Sequence, residues 1–237
     1  MRIVKFAPGQ IYHIYNRGVD KRDIFLEDND RWRYLQVLCL FNEEKNSSNL
    51  LWKIERDKGR VNLKMLKDYI IKEGKKPLVR ILAYCLMSNH YHLLIEELTE
   101  GGIVKFMHRL GGGYSQYFNK KYDRSGSLLE GPFKAVLVKN ETYLQYLLIY
   151  INVINPGRLA EPKLKEEGIK SVEAIIKAAD EYLWSTHQEY SGKRGSIIID
   201  KGLLGEFFPS PEAYYDFIRQ VLLGKQYQEI FHLTLED

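Results

Sequence analysis

The fold is decided by residues 78–96, LVRILAYCLM-SN-HYHLLIE, in which two apolar runs flank a break of two residues. β-Branched and aromatic residues are frequent in both runs, and such a break between them is typical of a β-hairpin. Side chains at positions i and i+2 of a strand point to the same face, so His90 and His92 share one face and Tyr91 points to the other. The stretch therefore predicts a hairpin at the centre of a sheet, with two imidazoles on one face.

The segments around this hairpin have the periodicity or composition of further strands and helices. Strands are predicted over residues 10–16 and 133–138, and helices over residues 28–42, 103–122 and 141–154. The order strand–helix–strand–strand–helix–strand–helix predicts an α+β fold. It is typical of a ferredoxin-like (split βαβ) antiparallel sheet core with helices on one face, here with one extra helix.

Two features bear on the ends and the straightness of these helices. Three glycines, residues 111–113, fall inside the second predicted helix, and each costs roughly 1 kcal/mol relative to alanine in a helix interior. A kink or a close backbone approach is therefore expected there. Asn155-Pro156-Gly157 is predicted to end the third helix.

Two regions are predicted to lie outside the core domain, which is expected to span residues 1–160. Residues 43–77 are highly charged and loosely periodic, apart from a candidate helix over residues 61–71, and are interpreted as an insertion. Residues 161–237 are expected to form an acidic helical C-terminal extension. Its helices are predicted around residues 170–183 and 211–224.

The charge of the chain is distributed unevenly. Its net charge is +4, but residues 161–237 contain 9 Lys and Arg against 14 Asp and Glu, which leaves 26 against 17 in residues 1–160. A basic first portion favours a polyanionic partner such as nucleic acid. The 17 tyrosines suit surfaces that stack on, or hydrogen-bond to, a partner. An ordinary basic surface is the alternative explanation.

Composition also argues against several classes of protein. No stretch approaches the roughly 18 uninterrupted apolar residues that span a bilayer. The N-terminal residues lack the features of a signal peptide, and no membrane partner is expected. Cys39 and Cys85 lie in apolar runs and are too few for a disulfide framework or a zinc cage. They are predicted to be buried free thiols, which favours a cytoplasmic location.

His90 and His92 are candidate metal ligands because two imidazoles on one strand face can converge on one ion. Such a pair suits Mn²⁺ and, with an oxygen ligand and water, Mg²⁺. The alternative is two ordinary strand histidines. A divalent ion offsets the charge by which a phosphodiester repels a nucleophile. A tyrosine on a neighbouring helix can then attack phosphorus and form a covalent phosphotyrosine.

Several tyrosines are available for such an attack. Tyr143, Tyr146 and Tyr150 recur at i, i+3 and i+7 on the third predicted helix, so they share one face. A stripe of this kind is equally typical of an aromatic core face. The preceding helix supplies Tyr114, Tyr117 and Tyr122 as further candidates. Periodicity does not choose among them.

Residues 88–95, SNHYHLLI, resemble the His-hydrophobic-His strand of the single-tyrosine HUH transposases of bacterial insertion sequences, in particular the REP-associated tyrosine transposases. Residues 12–18 resemble the opening strand of these enzymes, and residues 126–134 resemble the glycine-flanked start of their last core strand. Residues 150–156 resemble the helix that carries their nucleophile. The likeness runs in the right order through residues 8–192, so it is more specific than any single motif.

The resemblance implies an HUH single-tyrosine transposase catalytic domain over residues 1–160. In that domain Tyr150 would be the nucleophile, and His90 and His92 would bind Mg²⁺ or Mn²⁺. The family usually has a polar side chain near the metal four residues after the tyrosine, and here that position is Ile154. Asn155 is the predicted third ligand, with Asn152 or a water molecule as alternatives.

The resemblance also implies a DNA-binding surface near the opening strand, where Arg17 would clamp a phosphate. A strand-end turn is the alternative role for this segment. Basic residues along the second predicted helix and its exit would form a groove for single-stranded DNA, or simply a solvated helix face. The predicted DNA-binding residues are His13, Asn16, Arg17, Arg109, Lys121, Arg124 and Lys134.

These features together imply an enzyme that binds single-stranded or hairpin DNA, cleaves it through a 5′-phosphotyrosine and rejoins it. A replication- or relaxase-type nickase would use the same residues. A metal-dependent hydrolase and a domesticated, non-catalytic DNA-binding protein are further alternatives. Both a homodimer and a monomer are compatible with the sequence.

Overall fold

The computed structural model describes residues 4–44, 65–68 and 76–224. Its centre is a sheet of four strands: β1 (Ile11–Arg17), β2 (Val79–Leu86), β3 (His90–Glu97) and β4 (Lys134–Leu137). The strands lie in the order β2-β3-β1-β4, and neighbouring strands are antiparallel. This order, with one helix after the first strand and one after the third, is the split βαβ arrangement. The predicted ferredoxin-like fold is therefore confirmed.

The two helices that belong to the split βαβ arrangement pack on one face of the sheet. They are α1 (Asp28–Phe41) and α2 (Gly102–Lys121). Because side chains alternate along a strand, Tyr91, Leu93 and Ile95 all point to this face. There they are buried in one core with apolar residues of both helices. The predicted hairpin is present as well, with its turn at residues 88–89.

The opposite face of the sheet is covered by the last helix of the core and by the C-terminal extension. α3 (Glu141–Ile149) runs directly into a π-helical turn at Tyr150–Ile154 and a final turn at Asn155–Gly157. Leu82 and Leu94 of the sheet are buried in this second core. The helices of the extension are α4 (Leu164–Glu167), α5 (Val172–Glu181), α6 (His187–Tyr190), α7 (Leu203–Phe207) and α8 (Pro211–Leu223). The acidic extension thus completes the second layer of the domain.

The helix that carries Tyr150 does not end where the sequence predicted. Asn155-Pro156-Gly157 forms one more helical turn instead of stopping the helix. Pro156 stands in the first turn of that last segment, where proline is tolerated because no backbone donor is required of it. The prediction of the helix end was therefore wrong by one turn.

The outer edge of β2 is covered by a segment of the C-terminal extension. The amide of Leu86 donates to the carbonyl oxygen of Trp184 at 2.9 Å, and the amide of Thr186 donates to the carbonyl oxygen of Tyr84 at 3.0 Å. Cys85 and Ser185 form an antiparallel bridge between these two bonds. Backbone groups of the edge strand are thus paired within the chain instead of being offered to another chain.

Among the three consecutive glycines of α2, residues 111–113, Gly113 is the one that must lack a side chain. α2 is continuous through residues 111–113, so the expected irregularity takes the form of a close approach. A Cβ atom added at Gly113 would lie 2.4 Å from Cε2 of Phe41 on α1, whereas one added at Gly112 would meet nothing within 4 Å. The glycine at 113 therefore lets α1 and α2 pack closely.

Alanine substitutions at these two glycines are expected to have opposite effects on stability. Gly113→Ala should lower the free energy of unfolding by about 1–3 kcal/mol, because Phe41 must shift in a packed core. Gly112→Ala should raise it by up to about 1 kcal/mol, because alanine is the better helix former. Urea denaturation of both variants measures the difference. Equal effects at the two positions would contradict the close packing of α1 on α2.

The predicted insertion, residues 43–77, falls mostly outside the described residues, and so does most of the helix predicted over residues 61–71. Within it, residues 65–68 are helical. No described helix combines the length and the apolar character needed to cross a membrane.

Candidate active site

The two histidines of β3 lie on the sheet face that is covered by α3. β1 pairs beside them, with Tyr15 opposite His92 and Arg17 opposite His90. The ring centres of His90 and His92 are 5.0 Å apart, and their planes are inclined by 83°. An imidazole nitrogen binds an ion such as Zn²⁺ at about 2.1 Å, so two rings at right angles around one ion have centres roughly 5 Å apart. The spacing of the two rings is compatible with a shared ion.

The Nδ1 atom of each of these imidazoles is within hydrogen-bond distance of a polar side chain. His92 Nδ1 lies 2.9 Å from Nε2 of His13, and His90 Nδ1 lies 2.6 Å from Oδ1 of Asn89. A metal-binding histidine typically hydrogen-bonds through one ring nitrogen and binds the ion through the other. Nε2 is therefore the nitrogen with which both rings would bind a metal ion. His13, predicted to bind DNA, is 1% exposed and instead supports His92 from within the sheet.

Tyr150 lies against His92 of this pair. Its ring centre is 5.5 Å from that of His92 and 6.3 Å from that of His13. The side chain is 1% exposed, so the phenol is covered in this conformation. A second tyrosine is also near, since the ring centre of Tyr15 on β1 is 6.0 Å from that of His92. Sequence reasoning missed Tyr15, although its place two residues after His13 on the same strand would have indicated a shared face.

The other candidate tyrosines are not brought to the histidines. Tyr143 packs at the margin of the second core, and Tyr146 stacks on Phe217 of α8 with ring centres 5.9 Å apart. Three more lie with α1 and α2 on the opposite face of the sheet, where their hydroxyls bond to Ile24 or Asp30; they are Tyr114, Tyr117 and Tyr122. The geometry therefore favours Tyr150 over the alternatives considered from the sequence.

The π-helical turn explains the unusual spacing after Tyr150. The amide of Asn155 donates to the carbonyl oxygen of Tyr150, a bond that spans five residues instead of the four of an α-helix. Asn155, not Ile154, therefore follows Tyr150 by one complete turn. Ile154 is buried in the apolar core. The extra residue in the sequence is absorbed by the wider turn.

Asn155 is a suitable oxygen ligand for a metal ion. It is fully buried, and neither of its side-chain amide atoms has a hydrogen-bond partner among the described residues. Buried polar atoms without partners are rare and often belong to a functional site. Asn152, the alternative ligand, points elsewhere, because its amide bonds to Tyr214 and Thr186. Two imidazoles and an amide oxygen suit Mn²⁺ or, with water, Mg²⁺.

No group of three or more His, Cys, Asp or Glu side chains in the described part of the chain is arranged to hold a metal ion. A metal site at the histidine pair therefore depends on a third ligand of another type. The amide oxygen of Asn155 and water molecules are ligands of that kind.

A cavity of about 390 Å³ opens beside His90 and Asn155. Among the described residues that line it, four carry a positive charge: Arg17, Lys21, Lys134 and Arg158. Arg17 forms an ion pair with Glu130, and this hydrogen bond holds the pKa of the Glu130 carboxyl below its ordinary value. The Nζ atom of Lys134 lies 5.9 Å from the ring centre of Tyr15. We call this space, with its four basic residues, the cationic cavity.

The structure divides the predicted DNA-binding residues other than His13 into two groups. Asn16, Arg17 and Lys134 line the cationic cavity, and the side-chain amide of Asn16 also donates to the carbonyl oxygen of Gly131. The rest belong to α2 or the loop after it and bond within the chain. Arg109 donates to the carbonyl oxygen of Glu43, Lys121 pairs with Glu27 and Asp30, and Arg124 donates to Asn119. These three are not brought to the histidine pair.

Two basic residues of the cavity, Lys21 and Arg158, were missed by sequence reasoning. Lys21 follows β1 in a short turn, and nothing in its local sequence distinguishes it from other surface lysines. Arg158 had a detectable signal, because it follows Asn155 by three residues. On a helix, positions i and i+3 share a face.

One family model matches part of this chain. Residues 51–152 match the model of the family described as "Transposase IS200 like". A solved structure of a REP-associated tyrosine transposase bound to a REP hairpin is 13% identical, with a TM-score of 0.47, over 84% of this chain and 93% of that chain. The tRNA(His) guanylyltransferase of Saccharomyces cerevisiae is 12% identical, with a TM-score of 0.33, over 77% and 75%. No curated protein matches the chain.

The matched segment contains both histidines of the pair and Tyr150, while Asn155 lies just beyond its end. The segment also spans β2, β3, α2, β4 and most of the helix that carries the tyrosine. Over residues 51–152, the chain is therefore similar to the IS200-like transposase family.

Proposed function

We propose that this protein is a transposase that cleaves and rejoins single-stranded DNA through a 5′-phosphotyrosine on Tyr150, with Mg²⁺ or Mn²⁺ bound by His90, His92 and Asn155. The observation that carries the proposal is the contact between the ring of Tyr150 and that of His92, with His90 beside them. A nucleophile and a pair of metal ligands thus meet on one face of the sheet, as attack on a phosphodiester requires.

The chemistry assigned to each residue follows from this placement. A bound divalent ion would offset the negative charge on the non-bridging oxygens of the scissile phosphate. The phenolic oxygen of Tyr150 loses its proton and attacks phosphorus, the bond to the 3′ oxygen breaks, and the departing 3′ oxygen takes up a proton, so the step consumes none overall. The phosphotyrosine keeps the ester bond, so a 3′ hydroxyl can later attack it and release the tyrosine. His13 holds His92 in position for both steps.

The cationic cavity is the proposed binding site for the DNA backbone on either side of the scissile phosphate. Its four basic side chains attract phosphates, and its volume is at the scale of a small-ligand site. Tyr150 is 1% exposed, so the helical turn that carries it must shift toward the cavity as DNA enters. We propose single-stranded or hairpin DNA as the substrate, because unpaired nucleotides can enter such a space and a duplex cannot.

A covalent adduct is the test of this proposal. The protein is incubated with a labelled DNA hairpin that carries a single-stranded flank, with Mn²⁺ or with EDTA, and then denatured. A labelled band that survives denaturation only with Mn²⁺ is expected, and mass spectrometry should map the modification to Tyr150. Metal-dependent cleavage without any adduct would contradict the proposal and indicate a hydrolase.

Removing one basic residue of the cavity should weaken DNA binding. Arg158→Gln is expected to lower the affinity for the hairpin and to reduce the salt dependence of binding by about one unit of slope, because one phosphate contact is lost. Arg124→Gln, whose side chain bonds to Asn119 on α2, is the matched control and should change affinity less than about twofold. Fluorescence anisotropy at several salt concentrations measures both. A larger loss of affinity in Arg124→Gln than in Arg158→Gln would indicate that the DNA binds along α2 instead.

A further inference from the structure

We infer that the C-terminal extension positions the turn carrying Tyr150 through a buried hydrogen-bond chain that consists of Thr186, Asn152, Tyr214, His187 and Asp180. The inference rests on the proposed function, because it gives the extension a part in the same reaction. These residues would be positioning residues and would not touch DNA or metal. Asn152 stands in the middle of the π-helical turn, between Tyr150 and Asn155.

This hydrogen-bond chain is continuous from the sheet to the surface of the extension. Thr186 Oγ1 lies 2.6 Å from Oδ1 of Asn152, and Nδ2 of Asn152 lies 3.2 Å from the hydroxyl of Tyr214. That hydroxyl is 3.2 Å from Nδ1 of His187, whose Nε2 is 2.9 Å from Oδ1 of Asp180. All of these side chains except that of Asp180 are fully buried. Buried polar networks with every partner present are expected to hold their members in one arrangement.

The two ends of the chain determine the direction of every bond in it. The backbone amide of Tyr84 on β2 can only donate, and it donates to Thr186 Oγ1. The carboxylate of Asp180 can only accept, so His187 donates from Nε2 and accepts at Nδ1. Burial lowers the pKa of His187, which favours this neutral form. The hydroxyl of Tyr214 then donates to His187 and accepts from Asn152, so one consistent arrangement satisfies all five residues.

Asp180 is itself held by three further groups of the extension. Its Oδ1 atom accepts from Lys193 and Tyr215 in addition to His187. These contacts join α5, α6, α8 and the loop after α6 at one point. The end of the chain farthest from the sheet is therefore fixed by several elements of the extension.

The position of Asn152 makes this chain relevant to the site. A π-helical turn replaces α-helical bonds with longer ones, so other contacts must stabilise it against the α-helical alternative. An α-helical turn would rotate Asn155 away from the position one turn after Tyr150. Both polar atoms of the Asn152 side-chain amide are hydrogen-bonded within this network. These bonds favour the π-helical register over the α-helical one. The extension thereby determines whether Asn155 faces the cavity while Tyr150 packs against His92.

Tyr214→Phe is the variant that breaks the chain with the least disturbance, because it removes one hydroxyl and keeps the ring. Tyr190→Phe is the matched control. Tyr190 is buried in the same core, and its hydroxyl donates to the carbonyl oxygen of Leu82 at 3.0 Å without touching Asn152. Tyr214→Phe removes two buried hydrogen bonds and Tyr190→Phe removes one, so both variants lose stability and Tyr214→Phe loses somewhat more.

Two measurements on the full chain separate positioning from general destabilisation. Hydrogen exchange followed by mass spectrometry, without DNA or metal, reports the protection of the turn at residues 150–155. Tyr214→Phe is expected to exchange there about fivefold faster than wild type, and Tyr190→Phe at the wild-type rate. The rate of adduct formation on the hairpin with saturating Mn²⁺ should fall at least about fivefold in Tyr214→Phe and remain within about twofold in Tyr190→Phe.

The failures of the inference and of the proposed function are distinguishable. If wild-type protein forms no adduct, the proposed function is wrong, and the inference that rests on it is withdrawn. If wild type forms the adduct and Tyr214→Phe matches Tyr190→Phe in both exchange and rate, the positioning role is wrong while the proposed function stands. If Tyr214→Phe unfolds at the assay temperature, His187→Gln becomes the test variant. Thr186→Ser, which keeps the hydroxyl, then serves as a further control. Wild-type exchange at the turn in His187→Gln would also overturn the inference.

Discussion

Tyr150→Phe is expected to abolish the covalent protein–DNA adduct and to lower strand cleavage by more than about a thousandfold. The substitution removes the only atom that the proposed reaction joins to phosphorus, and it leaves the ring that packs on His92. Affinity for the DNA hairpin should stay within about twofold of wild type, because the cationic cavity is unchanged. Denaturing gels with labelled DNA and anisotropy titrations provide the two measurements.

Tyr15→Phe is the informative control for this experiment. Tyr15 also lies near His92, with ring centres 6.0 Å apart, and it lines the cavity while Tyr150 lies behind it. Accessibility alone would therefore favour Tyr15 as the nucleophile. The family resemblance and the position on the helix favour Tyr150. An adduct that persists in Tyr150→Phe and is lost in Tyr15→Phe would show that Tyr15 on β1 is the nucleophile.

His90→Gln is expected to weaken Mn²⁺ binding by more than about tenfold, since changes around the ligands of a metal site alone typically cost 10–100-fold. Adduct formation at low Mn²⁺ should fall by at least the same factor. His90 is the suitable histidine to replace because it is partly exposed at the cavity, whereas His92 is fully buried. The fold should thus tolerate the change. Electron paramagnetic resonance of Mn²⁺ measures binding without any need for catalysis.

His108→Gln is the matched control for the metal experiment. His108 is exposed on α2, the helix that packs on the opposite face of the sheet, so its replacement should leave Mn²⁺ binding unchanged. Equal Mn²⁺ affinity in wild type and His90→Gln would contradict the assignment of the histidine pair as ligands. An adduct that forms equally well with EDTA would be a second, independent contradiction of that assignment.

The core of the fold was predictable because its signals are local and repeat with a short period. A two-residue break between apolar runs predicts the hairpin, and the i, i+2 spacing places both histidines on one face. The alternation of strand and helix patterns then leaves few topologies. The second layer was harder to foresee. Nothing local in residues 161–237 indicates that their helices pack on Leu82 and Leu94 of the sheet.

The candidate site was predictable in part, for reasons that differ from residue to residue. A π-helical turn has no composition of its own, so the sequence showed only that Asn155 stands one residue too far from Tyr150. The cavity is assembled from segments that are distant in the sequence, which is why Lys21 and Arg158 were missed. Charge periodicity drew attention to Arg109, Lys121 and Arg124, but it does not distinguish a DNA groove from bonds within the chain.

The coverage of β2 by residues 184–186 has a consequence for how this chain can be divided. A fragment that ended before residue 184 would expose unpaired amides and carbonyls along β2, beside the apolar surface on which α5 and α8 now pack. Edges of that kind recruit strands from other molecules. A fragment cut at residue 160 is therefore expected to self-associate, because the segment that pairs with β2 would be missing.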